Sequence, residues 1–192
     1  GKGVSVATSL NLSATSFTGG VQLTDPNYNF SGNSLTYYAT NTSNKKKDSG
    51  YRNNIISTGI GTRFEQYRDI YISPNLSLTF DDLKVEDSAS KALQKQKGTF
   101  TDLSFDYIVS ADKRDRVYAP TNGYYSSFSQ KFPVYADSPF LQNTYAFSKY
   151  KTVTKDAIGT FKIFGTAING LDDKDVRLSK RIGMPSRRLR GF

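Results

Sequence analysis

The chain has 192 residues, enough for one domain or for part of a larger one, and carries a net charge of +9. Apolar residues make up 36% and aromatics 14%, the latter all Tyr and Phe, while Cys and His are absent. That composition excludes disulfide scaffolds, thiolate metal sites and the usual imidazole general base. No run approaches the roughly 18–20 apolar residues of a membrane-spanning helix, yet a barrel strand needs only about 9–11 alternating ones.

From the first residues the period of the pattern is two, which is the signature of an amphipathic strand. In Val4 to Ser13, Val4, Val6, Leu10 and Leu12 share one face with Thr8, against Ser5, Ala7, Ser9, Asn11 and Ser13. A second strand is expected over Phe17–Thr24 and a third over Ser34–Thr42, separated by the turn formers Asp25-Pro26-Asn27-Tyr28-Asn29-Phe30. After a basic loop the pattern resumes at Asn54–Phe64, where Ile56, Ile60 and Phe64 oppose Ser57, Gly59, Gly61 and Arg63. Ile70–Asp82 follows, with Pro74 on its apolar face, where it should interrupt the ladder. A long loop from Val85 to Lys97 precedes Thr99–Ser110. Tyr124–Phe132, Leu141–Val153 and Ile158–Ala167 complete nine strands, the last two broken by Lys149, Lys151 and Lys162.

Thr99–Ser110 discriminates best between architectures. It sets Leu103, Phe105, Tyr107 and Val109 against Asp102, Ser104, Asp106 and Ser110. Two carboxylates inside a soluble sandwich are costly unless paired, whereas the inner face of a wide barrel meets water. The fold class expected is therefore all-β: an antiparallel up-and-down transmembrane β-barrel, present in part. Connections at Pro26, Glu65, Lys113 and Lys155 read as compact, turn-rich or motif-like, those around Lys45, Val85 and Leu171 as longer polar loops, with short exceptions near Thr15 and Asp137. Tyr and Phe at strand ends are expected to form interfacial girdles.

The chain closes on Leu189-Arg190-Gly191-Phe192, at the end of a basic segment that begins at Asn169. An aliphatic residue followed by Arg-Gly-Phe at the end of a long loop resembles the signature of the BamA-type outer-membrane assembly family, the bacterial surface antigens. Asp115, Pro120, Thr121 and Gly123, within Asp115-Arg116-Val117-Tyr118-Ala119-Pro120-Thr121-Asn122-Gly123, resemble the family's Asp…Pro-Thr-x-Gly periplasmic turn. Asp25-Pro26-Asn27-Tyr28 is similar to its short turn after an early strand, and Gly1-Lys2-Gly3 to the end of its Gly-x-Gly turn. One departure concerns the Gly-Gly pair that commonly precedes the loop motif: the stretch here reads Gly183-Met184-Pro185-Ser186-Arg187-Arg188.

The resemblance implies that residues 1–192 belong to the C-terminal barrel domain and end in the sixth outer loop. They would cover about the third to the eleventh strand of a roughly sixteen-stranded barrel. An odd number of strands and two unpaired edges, which hydrocarbon does not tolerate, agree with a part of a larger barrel. The implied function is insertion and folding of other outer-membrane proteins in a Gram-negative outer membrane, without catalysis, cofactor or metal. The implied partners are unfolded β-barrel proteins, accessory outer-membrane lipoproteins and outer-membrane lipid including lipopolysaccharide, and no nucleic acid. Arg190 would reach into the lumen toward acidic groups, with Gly191 allowing close packing and Phe192 anchoring the tip. A sibling translocation barrel of the TamA type and a passive porin-like channel remain alternatives; a soluble basic nucleic-acid-binding domain is a more distant one. For an enzyme the residues offer little. Asp81-Asp82 and Asp172-Asp173 read as adjacent pairs in loops, and Gly59-Ile60-Gly61 lies within a strand, unlike a dinucleotide-binding turn.

Overall fold

A computed structural model describes residues 3–46, 50–87, 89–172, 175–177 and 180–181. Nine strands form one sheet in sequence order, every neighbour antiparallel. They are β1 (Ser5–Leu12), β2 (Ser16–Asp25), β3 (Ser34–Lys46), β4 (Tyr51–Tyr67), β5 (Ile70–Val85), β6 (Gly98–Asp112), β7 (Gly123–Ala136), β8 (Phe140–Thr154) and β9 (Ala157–Gly170). A short helix, α1 (Lys91–Gln94), interrupts the 86–97 connection and was not signalled by the sequence. The Ser90 hydroxyl caps it by accepting from the Leu93 N–H at 3.4 Å.

Connections 26–33, 68–69, 113–122 and 155–156 lie at one rim; 13–15, Gly50, 86–87, 89–97, 137–139 and 171–172 lie at the other. The connections 13–15 and 137–139 are short, as expected of them, while 113–122 is longer than the other turns at its rim. All nine expected strands are present, most of them longer than the alternation indicated. At the second rim β3 and β7 gain four residues each and β4 and β5 three, and there Asn44, Asn53, Arg52 and Lys84 continue the ladder without apolar alternation to mark it. Backbone pairing, indifferent to side chains, extends them.

The two faces of the sheet differ in chemistry. Asn75, Ser77, Thr79 and Asp81 of β5 stand beside Asp102, Ser104, Asp106 and Ser110 of β6 on the polar face. Hydrogen bonds cross the strands on that side: Ser57 with Thr79 at 3.0 Å, Thr144 with Thr166 at 2.9 Å, and Asn75 donating to Asp106 at 2.9 Å and to the Tyr38 hydroxyl at 3.1 Å. On the other face Val6, Leu10, Val21, Ile56, Ile60, Leu76, Phe80 and Phe161 are exposed. Among the described residues the buried apolar set is only Leu83 and Phe140, whereas Asn53, Ser77, Thr79, Asp81, Asp102, Ser104, Ser110 and Arg177 are buried. The usual distribution is inverted.

Several local expectations meet the structure directly. Opposite Pro74 the β4–β5 pairing passes from Gly61–Asn75 to Phe64–Ile72, leaving a gap in an unchanged register; the proline has no N–H to donate. Lys162 does not break the alternation of β9: it stands on the polar face, its Nζ 6.0 Å from the Tyr150 ring. The aromatic rings are not confined to strand ends. Phe105 and Phe132 meet at 5.3 Å and Tyr107 and Phe128 at 6.4 Å in the middle of their strands, on the apolar face.

Candidate functional site: a capped turn and a charged cluster on the polar face

Two places in the sheet concentrate polar geometry, one at each rim. The first is the 113–122 turn. The Asp115 carboxylate accepts from the backbone N–H of Thr121 at 3.0 Å, from that of Asn122 at 3.1 Å and from the Thr121 hydroxyl at 2.5 Å. The Thr121 hydroxyl, then the Asn122 N–H, hold its pKa at about 2, well below the ordinary carboxylate value. Gly123 has φ 94°, and a Cβ there would lie 2.0 Å from the Lys113 carbonyl oxygen, so only glycine fits. Pro120 follows Ala119, which takes a left-handed φ of 48°. Asp115, Pro120, Thr121 and Gly123 thus occupy one turn, but the sequence reading missed Asn122. Its side chain ties the turn to the end of β8, accepting from the Thr152 N–H and donating to the Thr152 hydroxyl, both at 3.2 Å. Arg114 is held by Asp112 through bonds of 2.6 and 2.7 Å.

The second place is near the opposite rim. The segment after β9 crosses the polar face and brings Arg177 onto β5 and β6. The Arg177 guanidinium donates through Nη2 to Asp102 Oδ2, and its Nη1 lies 3.9 Å from Asp81 Oδ2. It also stacks on Phe100, 4.3 Å from the ring centroid. Lys180 adds a second cation, with Nζ 3.6 Å from Asp102. Desolvation lowers the Lys180 pKa, a trend that Asp102 and Asp81 oppose. Asp81 and Asp102 are 0% and 2% exposed and Arg177 4%, so these charges are buried against one another.

This cluster corrects two readings of the sequence. Asp102 does not escape the cost of burial by meeting water; it is paired, and Asp106 accepts from Asn75. Asp81 and Asp82 are in β5 rather than a loop, on opposite faces, and Asp81 does converge with Asp102 on one cation. Of the other acidic pair, Asp172 is described and Asp173 lies outside the described residues. The register carried the missing signal: Asp81 pairs with Phe100 and Thr79 with Asp102, which makes the two carboxylates diagonal neighbours on the polar face. Such a pair calls for a cation from elsewhere in the chain. Leu189, Arg190, Gly191 and Phe192 lie outside the described residues.

A model of the Omp85 superfamily domain matches residues 1–192. The chain belongs to the Omp85 superfamily. Among solved structures it is similar to BamA from Haemophilus ducreyi lacking POTRA domains 1–3, with a TM-score of 0.81 at 17% identity. The match covers 93% of this chain and 38% of that one, so the chain spans well under half the length of that BamA. No curated protein matches the chain in sequence. In an Omp85 barrel the exposed apolar face is the lipid-facing exterior and the buried polar face is the lumenal wall. The nine strands form part of such an outer-membrane barrel, and the Arg177 cluster lies inside it.

Proposed function

We propose that this chain is part of an outer-membrane barrel that inserts and folds other β-barrel proteins. One observation carries the reading: a sheet with the wall of an Omp85 barrel whose next segment turns inward, onto the lumenal face, rather than away from it. The match of the Omp85 superfamily domain over residues 1–192 supports an assembly or translocation barrel over a passive channel. In this reading residues 1–192 belong to the C-terminal barrel domain and end in the sixth outer loop. Leu189, Arg190, Gly191 and Phe192 form the working tip of that loop, and Arg190 pairs with carboxylates of later strands. Asp115, Pro120, Thr121 and Gly123 make a periplasmic turn. The barrel sits in the outer membrane of a Gram-negative cell and acts without catalysis, cofactor or metal. Its partners are unfolded barrel proteins, accessory lipoproteins and outer-membrane lipid including lipopolysaccharide.

The test replaces Arg190 by Ala and by Glu in the full-length protein and follows the levels of unrelated outer-membrane barrels, with insertion of the variant itself as control. Broad loss of the other barrels, deeper with Glu than with Ala, is the expected result. Normal levels with altered solute permeability would make the protein a passive channel. Loss confined to a few clients would favour a sibling translocation barrel of the TamA type.

A further inference from the structure

The chain leaves the sheet at β9 yet makes its strongest charged contacts on β5 and β6, three strands back. At about 4.8 Å per strand that return spans roughly 14 Å of lumenal wall. The landing point is built from both sides. Asp81 and Asp102 lie on adjacent strands of one face, both almost fully buried, and both meet Arg177 there. Left alone, two such carboxylates would repel one another and resist burial. The crossing segment brings Arg177 and Lys180, and the cluster becomes neutral. Arg177 is further fixed by the Phe100 face, and a compact turn holds the two cations together: the Arg177 carbonyl accepts from the N–H groups of Lys180 at 2.9 Å and Arg181 at 3.1 Å. Arg181 Nε closes the turn on the Val176 carbonyl at 3.0 Å.

We propose that Arg177 and Lys180 are positioning residues that latch the base of the inward loop to the Asp81–Asp102 pair. The latch fixes where residues 177 and 180–181 stand on the lumenal wall. It is separate from Arg190, and rests on the outer-membrane barrel reading above. A buried pair suits this role because breaking it strands a charge, which makes the docked state strongly preferred over a detached one.

The chain contains no cysteine, so within residues 1–192 spin labels go only where they are introduced, and any cysteine elsewhere in the full-length protein is first replaced by serine. In the full-length protein, labels at Asp175→Cys on the segment and Ser9→Cys on the lumenal face of β1 report the position of the loop base as a distance distribution. With Arg177 present one narrow distribution is expected. Arg177→Gln and Asp102→Asn should each lose it, and Arg177→Lys, which keeps the charge, should largely retain it. Barrel folding is followed in the same samples by heat-modifiable electrophoretic mobility. A distribution that stays narrow in Arg177→Gln overturns the latch. So does loss of folded mobility in both Arg177→Gln and Asp102→Asn, which would make the cluster part of the wall itself. The distances are read independently of assembly: a broadened distribution with other barrels at normal levels upholds the latch while the assembly reading fails.

Discussion

Asp115 shows how a single exposed carboxylate can organise ten residues of connection. Its three acceptor contacts all come from Thr121 and Asn122, six and seven positions ahead, and each favours the charged form. The folded pKa of about 2 lies below the ordinary value near about 3.9. The contribution to turn stability is therefore complete above the ordinary value and is lost as pH falls through about 2. Since the Thr121 hydroxyl is the largest cause, Thr121→Val should move the Asp115 titration up toward the ordinary range. A carboxyl carbon resonance followed against pH in detergent micelles reads this directly; an unmoved midpoint would assign the shift to the backbone donors alone. The turn was legible from sequence because Asp, Pro, Thr and Gly each do something local there. Asn122 and Arg177 were not, because both act across the sheet: Asn122 on Thr152, and Arg177 on a carboxylate 75 positions away. Residue type at short spacing gives no sign of such partners until the register is known.

At the scale of the strand, alternation located every strand and assigned most faces correctly, since the side-chain period of two is fixed by the pleat. It failed at strand ends, where pairing persists after the apolar pattern stops, and it gave no meaning to Gly59. In the structure Gly59 is a seat for an aromatic ring. Tyr38, directly opposite on β3, lies over it, and a Cβ would stand 2.5 Å from the ring and 2.8 Å from the Leu76 carbonyl oxygen. The ring continues past the glycine so that its hydroxyl accepts from Asn75 on β5, joining three strands on the lumenal wall. Gly59→Ala must push Tyr38 away and break that link, at a cost of roughly 1–3 kcal/mol for overpacking. Gly59→Ala with Tyr38→Ala should recover part of the loss, as the clash with the ring is then gone and only that with the Leu76 carbonyl oxygen stays. Urea unfolding of the refolded barrel in lipid vesicles measures both. Additive losses in the double variant would mean that the ring and the glycine do not interact.

The whole molecule is amphipathic in the sense opposite to a soluble sheet, and this decides which substitutions it tolerates. Ile60 lies mid-strand on β4, exposed on the apolar face, while Thr40 lies on the polar face of β3. A soluble sheet with these faces would accept a charge at the exposed position and reject it at the covered one. In a bilayer the order reverses: an arginine at the lipid-facing midplane costs about 2–4 kcal/mol, whereas a lumenal one keeps its water. Ile60→Arg should therefore lower the stability of the refolded full-length barrel by that amount, and Thr40→Arg should change it by much less. Part of the Ile60→Arg penalty should vanish in a thinner bilayer, because the guanidinium then reaches the headgroups with less distortion. Equal penalties at the two positions, insensitive to bilayer thickness, would mean that the apolar face packs against protein rather than lipid. The inverted burial would then belong to an interface between subunits and not to a membrane.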